Sequence, residues 1–361
     1  MSGPAGRLPA ALSDDGGSST QLDTHVVAAV ALDDGSLAVG LGDGRVAMAP
    51  PGDTGAFRFS AVHAGACLAL AVDLDGRSVL SGGDDGVLAR VASDGSVDTL
   101  LACPRRWIDQ VAVSRQGRWR AAATGRAVHL LAADGTSAPA LEHPSTVAGL
   151  AFDPDGQRLA ASHYGGVTVW PTAGSARRRP RRLAWVGSHL ALTWSPDGRF
   201  LVSATQENAL HGWRMRDGVD MQMSGYPVKV KSTTWLPEGR FLATGGAEAV
   251  VCWPFAGRHG PMGKPPVEAG PALGCLVTAV AGHPSRSAVA AGYENGTVLL
   301  VPLDRSLPEL VKRPGNGEIT ALAWSPDGRT LVLGTDEGLV VRITRDWTPN
   351  RATAAARARG Q

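Results

Sequence analysis

Trp194-Ser-Pro-Asp-Gly-Arg-Phe-Leu-Val-Ser-Ala-Thr205 is the stretch of this sequence that decides the fold. It returns almost unchanged as Trp324-Ser-Pro-Asp-Gly-Arg-Thr-Leu-Val-Leu-Gly-Thr335, and closely related copies begin at Phe152 and Trp235. Looser copies begin at Val72 and Val113. A repeat at a fixed period restricts the architecture before any single element is assigned, so the period is the first quantity to determine.

Each copy consists of short apolar runs joined by a tight turn. Pro196 presets φ for the turn, and Gly198 accepts the positive φ that other residues resist. A second apolar run follows the turn, and a third run comes after it. Gly166 to Trp170 is the third run of the fourth unit. Runs this close in sequence predict antiparallel strands. Shorter and more polar stretches are candidates for an outer, fourth strand: residues 96–101, 181–186, 221–224 and 307–312.

The turn glycines set the period, which is roughly 41 residues with one double step. They are Gly35, Gly76, Gly117, Gly156, Gly198, Gly239 and Gly328, and the copy inside the double step is Ala281 to Gly292. Eight such units use nearly all of the 361 residues. The sequence therefore predicts one all-β domain, a closed β-propeller of eight four-stranded blades. Seven blades is the alternative, which holds if the first unit, with its short turn at Asp33-Asp34-Gly35, packs outside the ring.

The predicted organisation has three parts: a flexible N-terminal segment (residues 1–19), the propeller (20–346) and a flexible basic tail (347–361). No fourth strand is evident after Ile343, so the last unit is incomplete in itself. A closed ring needs that strand from elsewhere. We expect residues around Thr20 to Asp23 to supply it, which closes the ring with an N-terminal strand.

Composition limits the functional classes. A net charge of +2 is too small to indicate nucleic-acid binding by itself, and no apolar run approaches the length of a membrane span. The four cysteines are scattered without a CxxC pair, which predicts free thiols in a reducing, cytoplasmic compartment. The high usage of Ala, Arg and Gly indicates a bacterial source.

The repeat resembles the WD-repeat β-propeller family over roughly residues 22–346. The resemblance rests on the recurring aromatic-x-Pro-Asp-Gly-Arg turn, on a histidine that opens several units (His25, His63, His143, His189) and on a tryptophan that ends the third strand (Trp170, Trp213, Trp253). In that family, the opening His, a turn Asp, a hydroxyl and the closing Trp form a structural network. The resemblance places the first two members on His25 with Asp43 and on His63 with Asp85. No unit carries all four, so the chain is similar to a divergent member.

Catalytic signatures are missing from the sequence. It contains no Gly-x-Ser-x-Gly, P-loop or His-Glu-x-x-His motif, and the histidines recur at positions that the repeat uses structurally. Cys252, His259 and His283 could hold a metal only if folding brought them together, and their spacing matches no standard site. We therefore predict no catalytic residue, no metal and no cofactor.

The predicted binding surface is the end of the ring that carries the turns between second and third strands and the connections between units. The candidate residues there are Arg105, Arg106, Trp107, Tyr164 and Tyr293, because Arg, Trp and Tyr dominate interface hot spots. Arg105-Arg-Trp107 stands where other units have an opening His. Trp107 either contacts a partner or packs into the His position, and the sequence does not separate these two roles.

Two further features have both a structural and a functional explanation. The densest basic run consists of Arg177, Arg178, Arg179, Arg181 and Arg182. It is explained either by an outer strand that charge protects from pairing or by a patch for an acidic partner, a membrane headgroup or nucleic acid. The Gly/Pro-rich stretch Phe255 to Pro266 is either a neutral insertion or a shaped functional loop.

Together these features predict a non-catalytic scaffold or adaptor, monomeric, that presents a rigid propeller face to a partner protein or peptide. The alternative is a propeller enzyme, or a protein that binds a small ligand or metal in the central channel. Membrane binding is not expected, and nucleic acid is not the favoured partner.

Overall fold

The repeat forms a ring of antiparallel sheets. The computed structural model describes residues 17–52, 57–172, 179–304 and 306–347. Within these ranges every regular element is a strand except one turn of 3-10 helix, Pro237–Gly239. No helix in the described ranges is long and apolar enough to cross a membrane. Residues 1–16 and 348–361, most of the two segments predicted as flexible, lie outside the described residues.

The regular units are four-stranded meanders in which neighbours along the chain pair antiparallel. After β1 (Gly17–Gln21), the first three units contain β2 (Val26–Ala31), β3 (Leu37–Leu41), β4 (Arg45–Ala49), β5 (Arg58–Ala61), β6 (Cys67–Val72), β7 (Val79–Gly83), β8 (Val87–Val91), β9 (Val97–Ala102), β10 (Gln110–Ser114), β11 (Trp119–Thr124), β12 (Ala127–Ala132) and β13 (Leu141–Glu142). The last three contain β20 (Thr233–Trp235), β21 (Phe241–Thr244), β22 (Val250–Pro254), β23 (Val267–Ala269), β24 (Val277–Gly282), β25 (Ala288–Tyr293), β26 (Val298–Pro302), β27 (Glu309–Lys312), β28 (Ile319–Trp324), β29 (Thr330–Thr335) and β30 (Leu339–Thr344).

The fourth and fifth units share one six-stranded sheet. Its strands are β14 (Gly149–Phe152), β15 (Arg158–Pro171), β16 (Arg181–Trp194), β17 (Phe200–Thr205), β18 (Leu210–Arg214) and β19 (Asp220–Met223). β15 is folded back on itself, because Thr172 N donates to Gln157 O over 2.8 Å, whereas a straight strand of this length would hold these residues roughly 45 Å apart. Its second arm pairs with the start of β16, and the end of β16 pairs with β17.

The described strands thus form seven sheets, six of four strands and one of six. The prediction of eight separate blades is wrong, and the count agrees with the alternative of seven. The reason differs from the one that the sequence offered. The first unit forms a regular four-stranded sheet, and the number falls because β15 and β16 carry two repeat units in one continuous sheet.

Ring closure by the N-terminal strand is confirmed. β1 pairs antiparallel with β30, from Gly17 opposite Ile343 to Gln21 opposite Leu339. Leu22 N continues the contact by donating to Gly338 O over 2.9 Å. The strand begins at Gly17 rather than near Thr20, so it includes three residues of the segment predicted as flexible.

The turn that decides the fold is held by its own side chains. Gly198 has φ of +66°, and its N–H donates to Ser195 O over 2.8 Å. Ser195 Oγ donates to Asp197 and accepts the N–H of Phe200. Ser325, Asp327 and Gly328 repeat the arrangement in the last unit. The sequence Ser-Pro-Asp-Gly therefore determines both the reversal of the chain and the register of the strands that flank it.

The tryptophan before this turn joins neighbouring units. The indole Nε1 of Trp194 donates to Ala151 O, that of Trp235 to Thr193 Oγ1 and that of Trp324 to Ala281 O, over 2.8 to 3.1 Å. In each pair the acceptor lies on the first strand of the preceding unit. A buried indole N–H needs a partner, so one residue type provides both apolar packing and a directed bond between units.

The ring has two distinct ends because the turns of a meander alternate between them. The end that carries the first-to-second strand turns and the third-to-fourth strand loops is called the turn face here. The opposite end, called the loop face, carries the second-to-third strand turns and the connections between units. First strands of neighbouring units contact each other around the ring, and β2 contacts β28 where the ring closes.

A buried ion pair links the second and third units. Arg120 on β11 donates from Nε and Nη2 to the two carboxylate oxygens of Asp73, over 2.6 and 2.8 Å. Arg90 approaches the same carboxylate at 3.2 Å. Asp73 is fully buried and Arg120 nearly so. This bidentate geometry gives each carboxylate oxygen a hydrogen bond, as a buried carboxylate requires.

Histidines and tryptophans cluster inside the six-stranded sheet. His211 stacks on Trp185 with ring centroids 3.9 Å apart and meets Trp213 edge to face at 4.8 Å. Burial lowers the pKa of His211 to about 4, against a smaller opposing effect of Asp220. Burial also lowers the pKa of His189. These imidazoles are therefore neutral in the folded protein at pH 7.

We expect the free energy of unfolding to fall as the pH drops below about 6.5, the ordinary pKa of histidine. Between pH 6.5 and about 4 the unfolded chain takes up a proton on residue 211 that the folded protein does not, so acid favours unfolding. The His211→Gln variant should lose about 2 to 3 kcal/mol of the stability difference between pH 7 and pH 4.5. Urea titrations at the two pH values measure it. The exposed His25→Gln control should keep the wild-type difference, and an unchanged pH dependence in His211→Gln would contradict the expectation.

Candidate protein-interaction face

The loop face is held in shape by acidic side chains at the strand turns. Asp84 accepts the N–H of Ala66 over 2.9 Å, and Asp336 accepts that of Glu318 over 2.8 Å. Glu294 does the same for the seventh unit through Leu276. Each carboxylate thus fixes the connection that leads into its own unit, and the face is a preformed surface rather than a set of free loops.

Arg105, Arg106 and Trp107 project from this face between the second and third units. All three are exposed, and 66% of the Trp107 surface is accessible. Arg105 has φ of +65°, which turns the chain sharply, and the next N–H, of Arg106, donates to Cys103 O. Ile108, fully buried, fills the position beneath and donates its N–H to Gly83 O over 2.9 Å. Trp107 therefore does not pack into the position that an opening His would take.

Tyr164 lies on the same face at the tip of the β15 hairpin, where 64% of its surface is exposed. It is paired in register with Ser188, just past Val186, which is the most exposed large apolar residue described, at 76%. The sequence analysis missed Val186. A valine inside a predicted strand is normally assigned to the core, and only the bend of β16 at Gly187 (φ +105°) shows that this one lies between two units.

Tyr293 is the exception among the predicted contact residues. Its side chain is fully buried in the apolar cluster of the sixth and seventh units, and burial raises its pKa. It ends β25 one residue before the turn, so its side chain follows the strand alternation into the core. Tyr293 is therefore not available to a partner, and its assignment to the binding surface is wrong.

The structural network predicted at His63 and Asp85 is present in the second unit. His63 Nδ1 lies 3.1 Å from Asp85 Oδ1, and its Nε2 lies 2.8 Å from Ser81 Oγ. Burial acts to raise the pKa of Asp85, but hydrogen bonds from Val87, Ala64 and His63 outweigh it and leave that pKa below its ordinary value. The carboxylate is thus ionised, and it holds the connection to the second unit.

The corresponding pair in the first unit is not formed. Asp43 accepts hydrogen bonds from the N–H and Nε of Arg45, over 3.1 and 2.7 Å, rather than from His25. His25 is exposed, with its ring against Gly42. The assignment of His25 and Asp43 as partners is therefore wrong, because an adjacent arginine competes successfully for the turn carboxylate.

Tyr226 takes the histidine's place in the sixth unit, which has no opening His. The hydroxyl of Tyr226 accepts the indole N–H of Trp253 over 2.7 Å and lies 2.8 Å from Thr244 Oγ1. Burial raises its pKa to about 12. The network thus survives with a phenol in place of the imidazole, a substitution that the histidine-based pattern could not reveal.

No metal site is found within the described part of the chain, where no three His, Cys, Asp or Glu side chains converge. The three residues that the sequence analysis considered as metal ligands lie in three different environments. Cys252 is buried in the apolar cluster of the sixth and seventh units, His259 contacts Arg214, and His283 lies 3.1 Å from Gly328 O.

The described part of the basic run, residues 179–182, and the loop after Phe255 lie on the turn face. Arg179, Arg181 and Arg182 are exposed, and Arg181 and Arg182 belong to β16. Arg177 and Arg178 lie outside the described residues. Phe255 is buried against Phe200 and Trp235, and Lys264 closes the loop by donating to Ala256 O.

Comparison with known proteins identifies the same repeat. The family model "WD domain, G-beta repeat" matches residues 138–171 and 309–341. A chromatin assembly factor 1 subunit FAS2 homolog from Oryza sativa subsp. japonica is 29% identical over 204 residues, which cover 53% of this chain and 36% of that protein. WD repeat-containing protein 90 of Mus musculus is 39% identical over 57 residues, 16% of this chain and 3% of that protein. The aligned regions thus span little more than a third of these relatives at most.

Solved structures support the fold over nearly the whole chain. The C-terminal WD40 domain of Sif2 has a TM-score of 0.70 at 16% identity, covering 92% of this chain and 97% of that one. The computationally designed Ika8 protein has a TM-score of 0.71 at 19% identity, covering 90% and 97%. A chain of the Mitotic Checkpoint Complex has a TM-score of 0.61 at 16% identity, covering 96% and 100%. The bacterial source and the cytoplasmic location stay predictions, and both sequence relatives are eukaryotic.

Proposed function

Because the chain is a WD-repeat β-propeller, we propose that it is a non-catalytic scaffold whose loop face binds a partner protein or peptide. The proposed contact surface consists of Arg105, Arg106 and Trp107 on the third unit with Tyr164 and Val186 on the shared sheet. Rigid aromatic and arginine side chains on a preformed surface are the groups that supply most binding energy in protein interfaces.

The exposure of Trp107 is the observation that carries this proposal. A tryptophan left two-thirds in water has no packing role, and Ile108 already fills the buried position beside it. The adjacent guanidinium groups of Arg105 and Arg106 give the surface a positive rim. Such a surface suits a partner segment that offers an apolar side chain flanked by carboxylates.

The names of similar proteins agree with a role in assembly. One relative is named as a subunit of a chromatin assembly factor, and one similar fold occurs in a checkpoint complex. Both names describe members of multi-protein assemblies. They support the class of function proposed here and leave the partner to be identified by experiment.

The Arg105→Ala/Arg106→Ala/Trp107→Ala variant should lose a specific partner while it melts like the wild type, since all three side chains are exposed. Affinity capture from native lysate with quantitative mass spectrometry measures the loss, and we expect about a tenfold or greater depletion of the partner. The matched control is Arg77→Ala/Arg313→Ala/Leu307→Ala, which also removes two exposed arginines and one exposed apolar side chain. Equal capture by both variants and the wild type would refute the assignment of this face.

A further inference from the structure

Five arginines line a cavity of about 440 Å³ on the turn face, at the opposite end of the ring from Trp107. Arg158, Arg199, Arg214 and Arg216 come from the fourth and fifth units, and Arg258 comes from the loop after Phe255. The backbone of Gly198 and the side chains of Phe200 and Met215 complete the wall. The residues are far apart in sequence, so only the shared six-stranded sheet and the sixth unit bring them together.

Three of the five guanidinium groups are fixed by carboxylates. Arg158 pairs with Asp153, Arg199 with Asp197 and Arg214 with Asp217, over 2.5 to 2.9 Å. These three aspartates offset an equal number of positive charges. They also hold the arginines in one orientation, which lowers the entropy that the side chains would lose when a ligand binds.

Aromatic contacts add to this rigidity. The guanidinium of Arg158 lies 4.6 Å from the centroid of the Trp194 ring. Arg199 lies 5.6 Å from the ring of Phe200, and it also donates to Gly257 O in the loop after Phe255. Arg214 contacts His259 of the same loop over 2.9 Å. The cavity wall is thus a built structure rather than a group of free surface side chains.

Arg216 and Arg258 carry the two positive charges of the cavity that the three aspartates do not offset. Arg216 is 67% exposed, and its nearest carboxylate atom, on Asp217, is 4.0 Å away and already bonded to Arg214. Arg258 is exposed, and it has no ion pair with any residue in the described ranges. Two unsatisfied guanidinium groups at the edge of one cavity form a site for an anion with several oxygens, since each group can bind two of them at once.

The basic run of the sequence borders this cavity. Arg181 donates from Nη1 to Met215 O, on the cavity wall, and its guanidinium also lies against Gly218, where a Cβ would be 2.8 Å away. Arg182 and Arg179 are exposed beside it. These three arginines therefore extend the positive surface beyond the cavity and along the outer edge of the shared sheet.

We propose that this arginine cavity is a second docking site, which binds an acidic segment of a partner protein through Arg216 and Arg258. A phosphorylated side chain with acidic neighbours provides the oxygens that the two free guanidinium groups lack. Arg179, Arg181 and Arg182 then contact the residues that flank it. This site is separate from the loop face and does not depend on the function proposed for it.

The local charges favour a peptide over a nucleic acid. Asp153, Asp197 and Asp217 lie among the arginines and would repel a continuous phosphodiester backbone. Phe200, the aromatic residue of the wall, is buried and offers no face on which a base could stack. A cavity of about 440 Å³ also suits one anionic side chain better than a strand that must pass across the surface.

Binding of a labelled peptide to the 361-residue chain tests the site. The probe has nine residues, with one phosphoserine between glutamates, and fluorescence anisotropy at low salt measures its affinity. We expect the Arg216→Ala/Arg258→Ala variant to bind about tenfold more weakly than the wild type. The control Arg77→Ala/Arg313→Ala, which removes the same charge from exposed positions in other units, should bind like the wild type. Both variants change exposed side chains, and circular dichroism confirms that they are folded.

Three outcomes would overturn the proposal. The first is equal affinity of wild type and Arg216→Ala/Arg258→Ala for the phosphopeptide. The second is equal binding of a peptide with Ser and Gln in place of phosphoserine and Glu. The third is tighter binding of single-stranded DNA of matched charge, which would make the basic surface a nucleic-acid site. The Arg105→Ala/Arg106→Ala/Trp107→Ala variant is not part of this test, so failure here leaves the loop-face proposal standing.

Discussion

Removal of residues 1–24 is expected to lower the melting temperature by roughly 10 °C or more. In a domain of this size, a loss of about one kcal/mol of unfolding free energy lowers the melting temperature by only a few degrees, so this expectation corresponds to a loss of several such units. The deletion takes away β1 and leaves β30 as an unpaired edge. It also removes Leu22, which is buried in the apolar cluster of the first and last units. The ring then loses the only strand ladder in the described residues that joins the two ends of the chain. Differential scanning calorimetry of the shortened and complete chains measures the effect.

Two controls separate ring closure from the mere shortening of the chain. Deletion of residues 1–16 leaves β1 intact and should melt near the wild-type temperature. A synthetic peptide of residues 17–24 should restore part of the lost stability of the longer deletion, because it can add to the free edge of β30 as a strand. Identical melting of the 1–16 and 1–24 deletions would show that the ring does not depend on this strand.

The Arg120→Met variant is expected to lose about 3 kcal/mol of unfolding free energy, at the lower end of the cost of breaking a buried ion pair. The substitution leaves Asp73 fully buried with two longer side-chain contacts, to Arg90 and to the hydroxyl of Ser78. The carboxylate in that position keeps its desolvation cost. It loses the bidentate hydrogen bonds of Arg120 that offset this cost. Equilibrium unfolding in urea, with the midpoint and slope compared between variant and wild type, gives the difference.

Removal of both charges should cost less than removal of one. The Asp73→Leu/Arg120→Met variant eliminates the unpaired carboxylate, so we expect it to be more stable than Arg120→Met. Arg77→Met removes an exposed arginine of the second unit and should change the stability by less than about 0.5 kcal/mol. If Arg120→Met unfolds at the same urea concentration as Arg77→Met, then the pair does not stabilise the junction of the second and third units.

The turn chemistry made most of the fold predictable. Ser-Pro-Asp-Gly leaves the chain few alternatives, and the strands on each side follow from it. The predicted outer strand at residues 96–101 is β9 at Val97–Ala102, and that at 221–224 is β19 at Asp220–Met223. Closure by the N-terminal strand was predictable by counting, since the last unit lacked a fourth strand.

The shared sheet was not predictable from the repeat. Its cause is a pair of hairpin and connection segments, Tyr164 to Gly166 and Val186 to Ser188, in which strand geometry continues through the bend. The period of the repeat is the same in these units as in the others. A count of turn glycines therefore gives two repeat units, although backbone hydrogen bonds join these two units in one sheet.

Side-chain position decides which of the predicted contact residues are available to a partner. Exposure of Arg105, Arg106, Trp107 and Tyr164 agrees with their place in turns and connections. Tyr293 is one residue from a turn but still within its strand, and alternation points it into the core. The arginine cavity could not be found in advance, because its arginines come from several turns and a loop, and each alone is a common surface residue.

The six-stranded sheet also determines how this ring can deform. Neighbouring units elsewhere meet through side chains and isolated loop bonds, so thermal breathing can part them without breaking a strand ladder. Between the fourth and fifth units, β16 passes from one unit into the next as a continuous strand, and Tyr164 of the fourth unit is paired with Ser188 at the start of the fifth. Parting these two units would bend that strand and break the pairing of Tyr164 with Ser188, so we expect the ring to open at its other junctions first. Tyr164 and Val186 lie at the loop-face end of this sheet and most of the arginine cavity lies at its turn-face end, so the two proposed binding sites are joined by the same continuous strands.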